Sequence, residues 1–199
     1  MKCVVVGGQS RDVGKTSVVA AIIAALPQFG WTAVKITQHG HGICSRSGEP
    51  CGCAVTAPDC PYAIDEERDT AGCSDTSRFL RAGARRVLWV RTPIHKLGTA
   101  MPALHAALDG AEYVIMESNS VLEFLRPDVY LTVLDPAVED FKVSARRFLE
   151  QADAALVIGP IGPINPSSDL PFPKPVFHAE RGVWLTPDVV CFLQQRLGI

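Results

Sequence analysis

The segment VVVGGQSRDVGKTS, residues 4–17, constrains the fold of this chain more than any other segment. Its three consecutive β-branched residues predict a strand that is buried on both faces, as in parallel sheets. The glycines that follow predict a turn whose N–H groups point toward one centre. Gly14-Lys15-Thr16 then predicts a helix whose first amides and positive dipole end favour a polyanion. This order of strand, glycine turn, lysine, hydroxyl and helix is typical of a phosphate-binding loop.

The residue types within this loop predict separate roles. Lys15 is expected to reach the β- and γ-phosphates, and the Thr16 hydroxyl to coordinate Mg²⁺. Gly8 and Gly14 enclose five residues rather than four, and the strict pattern would place its first glycine at Gln9. The alternative interpretation is a helix-capping turn with an exposed lysine. The residues predicted to surround the phosphates are Gly8, Val13, Gly14, Lys15, Thr16 and Ser17.

The composition excludes several functional classes. A length of 199 residues fits one domain spanning 1–199, and 47% hydrophobic residues can fill a sizeable core. A net charge of −2, without a stripe of lysines and arginines, argues against a nucleic acid as the main partner. The sequence contains no run of 18 apolar residues that could span a membrane. Met1-Lys2 leads directly into the first strand without a signal peptide, which predicts a cytoplasmic protein.

Apolar strands and helices alternate along most of the chain, which predicts an α/β fold. We expect a three-layer sandwich, with helices on both faces of a mostly parallel, twisted sheet. Such sheets bind ligands beyond the carboxyl ends of their strands, where the glycine-rich loop lies. The predicted strands after the first cover residues 31–37, 87–90, 113–116, 129–134, 154–158 and 176–178. The predicted helices cover residues 14–25, 76–81, 96–108, 141–151 and 187–197, with a helical turn at 120–124.

Three charged residues are candidates for the chemistry of the site. Lys35 lies near the end of the second strand, where it could neutralise a transferring phosphoryl group if that strand neighbours the first. The alternative is an edge-strand lysine that extends into solvent. Glu117 follows the apolar strand 113–116, a position suited to hold Mg²⁺ directly or through water. The alternative is a loop-exposed acid. Asp75 is a second magnesium candidate, or a plain helix cap.

Residues 38–73 interrupt the alternation and are predicted to form a cysteine-rich insertion within the domain. They contain glycines, prolines, acids and five of the seven cysteines of the chain. Four of these thiols fall within 17 residues: Cys44, Cys51, Cys53 and Cys60. Zinc could bind through all four, or through three and either His39 or His41, and would replace a missing core for the segment. An iron–sulfur cluster, free thiols and redox pairing are the alternatives.

Residues 8–16 resemble the longer phosphate loop of dethiobiotin synthetases and of cobyrinic and cobyric acid amide synthases, which share the glycine spacing. Lys35 matches the lysine that those enzymes use beside the phosphates. The middle of the chain looks more like molybdopterin-guanine dinucleotide biosynthesis protein B. The matching segments occur in the same order in that family as they do here. They are the region from Lys35 to His41, residues 75–78, residues 82–84 and Glu117. These similarities cover roughly residues 2–120.

The resemblance implies a P-loop NTPase that binds ATP or GTP with Mg²⁺. Lys15 and Lys35 would then be the catalytic residues, while Thr16, Glu117 and Asp75 would hold the metal. Asn165 lies in the loop after strand 154–158, where these folds read the base. Two departures stand out. Ser118 follows Glu117 where the molybdopterin-related family has glycine, and no Asn-Lys-x-Asp guanine motif occurs.

Three functions follow from the resemblance and from the cysteines. The first is an NTPase of cofactor metabolism that resembles the molybdopterin-guanine dinucleotide accessory protein and acts on a pterin-type substrate. The second is an ATP-dependent synthetase of the dethiobiotin or cobyrinate type, which activates a small-molecule acid. The third is a nucleotide-switched adaptor whose cysteine insertion delivers metal or docks a partner. Relatives in this superfamily often dimerise across the nucleotide face, so a homodimer is also expected.

Overall fold

The computed structural model describes residues 1–39, 61–159 and 175–198. The strands are β1 (Lys2–Gly8), β2 (Thr32–His39), β3 (Ala63–Glu66), β4 (Arg86–Pro93), β5 (Tyr113–Glu117), β6 (Val129–Leu134), β7 (Ala154–Ile158) and β8 (Val176–Ala179). The α-helices are α1 (Lys15–Ala25), α2 (Asp75–Arg81), α3 (Leu97–Ala107), α4 (Val143–Phe148) and α5 (Pro187–Leu197). Short 3₁₀ helices cover Pro27–Phe29, Ser120–Glu123 and Leu149–Gln151.

The eight strands form one sheet in the order β3-β4-β2-β5-β1-β6-β7-β8. Every pairing is parallel except that of β3 with β4. Helices α1, α2 and α5 cover one face with apolar side chains such as Ile22, Phe79 and Leu193. Helices α3 and α4 cover the other face, through Leu104 and Phe148. The predicted three-layer α/β sandwich with a mostly parallel sheet is confirmed.

The first strand occupies the middle of the sheet, between β5 and β6. Its β-branched run, residues 4–6, is fully buried because both faces are covered by helices. Strand β2 lies between β4 and β5, so the edge-strand alternative for Lys35 is wrong. The expected neighbourhood of β2 and β1 is also wrong, because β5 lies between them. In the parallel register, Glu117 of β5 pairs with Val6 of β1 on one side and with Lys35 of β2 on the other. The carboxyl end of β5 therefore lies between β1 and the middle of β2.

Strands β2 and β3 both include residues of the segment 38–73. Strand β2 continues to His39, and regular structure resumes at β3, an edge strand antiparallel to β4. The short, acidic sequence AIDE gives little local signal for a strand. It is held by pairing with β4 and by ion pairs of Asp65 with Arg91 and of Glu66 with Arg86. The four clustered cysteines and His41 lie outside the described residues.

The helix predicted at 141–151 is also shorter than expected. Its α-helical part is α4, and Leu149–Gln151 continues it as a 3₁₀ turn. The backbone N–H of Lys142 donates to the Gln9 carbonyl at 2.8 Å, so the residue before α4 is held against the phosphate loop rather than in the helix. No helix in residues 1–39, 61–159 or 175–198 has the length and apolar character needed to cross a bilayer.

Replacing Ser74 with alanine should lower the free energy of unfolding by about 1 kcal/mol or more. Ser74 is the N-cap of α2, and its hydroxyl accepts a hydrogen bond from the Ser77 backbone N–H at 3.0 Å. Thr186 is the matched control, because it occupies the N-cap of α5 without a side-chain capping bond. Urea denaturation of both alanine variants measures the difference. Equal losses would show that the Ser74 cap contributes nothing.

Candidate functional site

The turn between β1 and α1 requires glycine at two positions. Gly14 has a φ of 96°, in the left-handed region, and a Cβ there would lie 2.5 Å from a ring carbon of Trp184. A Cβ on Gly8 would lie 2.8 Å from the Val133 carbonyl oxygen. Because neither Gly8 nor Gly14 carries a side chain, the backbone of residues 9–14 can pass close to its neighbours and to a ligand.

Four residues predicted for the site meet beside the start of α1. The Thr16 hydroxyl donates to Glu117 Oε2 at 2.8 Å, and Lys35 Nζ lies 2.5 Å from Glu117 Oε1. Lys35 Nζ also lies 2.9 Å from Asp75 Oδ2 and 3.4 Å from Thr16 Oγ1. The cluster therefore joins the first turn of α1, the middle of β2, the end of β5 and the first residue of α2.

Burial and charge fix the protonation of Lys35. Its side chain is 16% exposed and that of Glu117 is 4% exposed, so the loop-exposed alternative for Glu117 is wrong. Burial alone would lower the pKa of Lys35, but the charges of Glu117 and Asp75 outweigh it and raise the pKa above its usual value. Lys35 is therefore positively charged at neutral pH and at moderately alkaline pH.

Lys15 is a cation without an anionic partner of its own. Its ammonium group donates to the Ser10 carbonyl within the loop. Burial and the nearby charge of Lys35 lower the pKa of Lys15, and the attraction of Glu117 offsets only part of that change. In the described part of the chain, Lys15 forms no ion pair with a carboxylate. An anion bound at the loop would therefore meet an incompletely neutralised positive charge.

The donor chemistry of the cluster fits Mg²⁺, which prefers oxygen ligands. The Thr16 hydroxyl and the Glu117 carboxylate lie together in the buried part of the cluster. Asp75 lies at its outer side, with 39% of its side chain exposed. Arg78, one turn along α2, lies 3.8 Å from Asp75 and donates to the Ser17 hydroxyl at 2.9 Å. This contact holds α2 against the first turn of α1.

Two anchors of the phosphate loop were not foreseen from the sequence. The Asn119 side chain accepts from the Gly8 N–H at 2.8 Å and donates to the Gly8 carbonyl at 2.9 Å. The buried Gln9 side chain accepts from the Asp135 N–H at 2.8 Å and donates to the Val138 carbonyl at 2.5 Å. The available signals were Gln9 itself, where the strict loop pattern has glycine, and an amide two residues after Glu117.

Some predicted site residues cannot be placed beside this cluster. Asn165 and the four clustered cysteines lie outside the described residues. Among residues 1–39, 61–159 and 175–198, no group of three or more His, Cys, Asp or Glu side chains is arranged to hold a metal ion. Cys3, Cys73 and Cys191 are free thiols, and burial raises the pKa of Cys3 to about 12. Cys3 is therefore an unreactive core residue, whereas Cys191 is exposed.

No protein-family model and no curated protein sequence matches the chain. Similar solved structures include HypB from Helicobacter pylori in complex with nickel, with 14% identity and a TM-score of 0.55 over 98% of this chain and 86% of that one. LpxK from Aquifex aeolicus in complex with ATP has 17% identity and a TM-score of 0.47, over 89% of this chain and 53% of that one. Bacillus subtilis MobB has 16% identity and a TM-score of 0.43, over 97% and 96%. The likeness to HypB shows the fold alone, in agreement with the expected α/β sandwich.

Proposed function

We propose that the protein binds a nucleoside triphosphate with Mg²⁺ and hydrolyses it or transfers its terminal phosphoryl group. The observation that carries this proposal is the 2.8 Å hydrogen bond between the Thr16 hydroxyl and Glu117. It joins the hydroxyl that follows the loop lysine to a carboxylate at the end of the neighbouring parallel strand. Hydroxyl and carboxylate oxygens in this relation are the magnesium ligands of P-loop NTPases.

Each residue of the cluster has a role in this proposal. The N–H groups of residues 13–17 would surround the phosphates, and Lys15 would neutralise charge on the β- and γ-phosphates. Thr16 and Glu117 would hold Mg²⁺, with Asp75 at its outer side. Bound Mg²⁺ neutralises charge on the phosphate oxygens. Lys35 would stabilise the charge that develops on the transferred phosphoryl group. Gly8 would permit the close approach, and Asn165 would contact the base.

A role in cofactor metabolism, of the molybdopterin-guanine dinucleotide accessory type, is the finer part of the proposal. Two parts of the sequence resemblance come from distant parts of the chain. They are Lys35 and residues 75–78. They meet at the candidate site, since Lys35 pairs with Asp75 at 2.9 Å and Arg78 reaches Ser17 at 2.9 Å. This proximity supports a shared function for the segments. A pterin-type substrate is the expected acceptor.

A synthetase of the dethiobiotin or cobyrinate type is the second candidate. It is favoured by the position of Lys35, whose charged amino group lies 3.4 Å from Thr16 Oγ1. In such an enzyme ATP activates a carboxylate or carbamate as a mixed phosphate anhydride. Phosphate release that depends on an added small-molecule acid would favour the synthetase. Release that is independent of such acids would favour the accessory NTPase.

Binding of the β,γ-imido analogues of ATP and GTP tests the proposal directly. Isothermal titration should show binding of at least one analogue, and Mg²⁺ should strengthen it. Replacing Thr16 with valine, which has nearly the same shape, should reduce the effect of Mg²⁺ on affinity by about tenfold. Thr99→Val is the matched control, because it makes the same substitution at an exposed threonine of α3 that has no part in the cluster. Failure of wild-type protein to bind either analogue would refute the proposal.

A further inference from the structure

The loop after β6, residues 135–142, is docked on the first half of the phosphate loop. Gln9 accepts from the Asp135 N–H through its side chain and from the Lys142 N–H through its carbonyl, both at 2.8 Å. The Gln9 side chain donates to the Val138 carbonyl, and the Ser10 hydroxyl donates to the Asp140 carboxylate. These contacts come from both ends and from the middle of the β6 loop. Lys142 is therefore held next to the phosphate loop by its own backbone.

This docking places Lys142 within electrostatic range of two other cations, Lys15 and Arg11. Burial, then the charges of Lys15 and Arg11, lower the pKa of Lys142 to about 8, although Asp140 and Asp12 offset part of the effect. Within the described residues, none of the three cations forms an ion pair with a carboxylate. The Asp140 carboxylate instead accepts from Ser10.

Mutual repulsion of half-buried cations is unfavourable in the ligand-free protein. It would be relieved by a ligand that carries several negative charges at this place. We propose that Lys142 is a further cationic ligand of the phosphate chain, in addition to Lys15. This inference rests on the proposed function and deepens it, because the β6 loop then shares in binding the triphosphate. The phosphate loop would supply one wall of the anion site, and Lys142 would supply another.

The first test compares affinities for the imido analogue that wild-type protein binds, and for inorganic triphosphate, both without Mg²⁺. Lys142→Ala should weaken both by roughly tenfold, whereas Lys142→Arg, which keeps the charge, should restore most of the loss. Lys142→Ala keeps the backbone contact with Gln9 and should therefore fold normally. Lys96→Ala is the matched control, since it removes an exposed positive charge away from this loop. Equal affinities of wild type and Lys142→Ala would overturn the inference.

The second test measures protons taken up on binding. Anion binding favours charged Lys142, so wild-type protein at pH 8 should take up as much as about half a proton at this residue. Titrations in two buffers with different ionisation enthalpies give the uptake. Lys15 also has a lowered pKa and contributes to the total, but it is present in both proteins. Lys142→Arg cannot titrate here and should take up less, and uptake identical to wild type would refute the inference.

The two proposals fail in distinguishable ways. If Lys142→Ala binds like wild type while a Lys15 variant loses binding, the site stands and the role of Lys142 is wrong. If wild-type protein binds neither the imido analogues nor inorganic triphosphate, both proposals are wrong. If it binds inorganic triphosphate through Lys142 but neither imido analogue, the cation cluster stands and the nucleotide assignment is wrong.

Discussion

Replacing Lys15 with methionine should lower the affinity for a nucleoside triphosphate by about 100-fold. The reason is that charge-assisted hydrogen bonds to phosphate depend on the ammonium group. Methionine retains most of the aliphatic stem, which lies close to Gly8. Isothermal titration with the imido analogue that wild-type protein binds gives the ratio of affinities.

The same substitution should leave the ligand-free protein at least as stable as wild type at pH 7. Burial, with the charge of Lys35, lowers the pKa of Lys15 in the folded protein, so the folded state disfavours the charged form. A lysine with a lowered folded pKa makes the fold less stable below its unfolded pKa, and stability recovers as pH rises toward that value. Methionine removes this penalty, so thermal unfolding should be less dependent on pH between 7 and 10.

Lys2→Met is the matched control for Lys15. Lys2 lies at the opposite end of β1 and pairs with Asp128 at 3.0 Å on the surface. Its substitution should change neither nucleotide affinity nor, beyond a few tenths of a kcal/mol, the stability. Unchanged affinity of the Lys15 variant would contradict the site assignment. A large loss of stability in the same variant would contradict the account of its buried charge.

Local sequence predicted the elements that position the site. The β-branched run before the glycines required burial on both faces, and β1 lies fully buried in the middle of the sheet. Lys35 and Glu117 were each predicted to act beside the phosphates, Lys35 on the condition that its strand neighbours the first. The register pairs these two residues directly. The strand order that pairs them could not be predicted from either segment, and their chemical roles remain predictions.

The parts that were not predicted depend on contacts between distant segments. Strand order decided that β2 is internal, and no local pattern gives strand order. Strand β3 is too short to show periodicity, and its pairing with β4 supplies what its sequence lacks. The contacts of Gln9 and Asn119 depend on which backbone groups two loops present. The amide side chains alone could not indicate those partners.

The additional residue of the phosphate loop has a physical explanation in these contacts. Asn119 holds the loop at Gly8, and Gln9 holds the next residue against the loop after β6. A glycine in place of Gln9 would lose the side-chain bonds to residues 135 and 138. The longer loop is therefore supported by the ends of β5 and β6 on either side of β1.

Replacing Glu117 with alanine should reduce both Mg²⁺-dependent turnover and stability. Turnover should fall by about 100- to 1000-fold if Glu117 holds the metal, because several kcal/mol of charge stabilisation is lost. Stability should fall by about 2–3 kcal/mol, since Lys35 remains buried with Asp75 as its anionic partner. Phosphate release and urea denaturation measure the two effects. Glu123→Ala is the control, because Glu123 pairs with exposed Arg147 at the surface.

Two further variants separate the metal role of Glu117 from its structural role. Glu117→Gln can still accept a hydrogen bond from Thr16, so it should retain more stability than the alanine variant but little turnover. Adding Lys35→Met to Glu117→Ala removes the cation that the first change left poorly paired. The double variant should therefore regain part of the lost stability without regaining turnover. A double variant less stable than Glu117→Ala would show that Asp75 alone suffices to stabilise Lys35. Full turnover in Glu117→Gln would show that this carboxylate does not hold the metal.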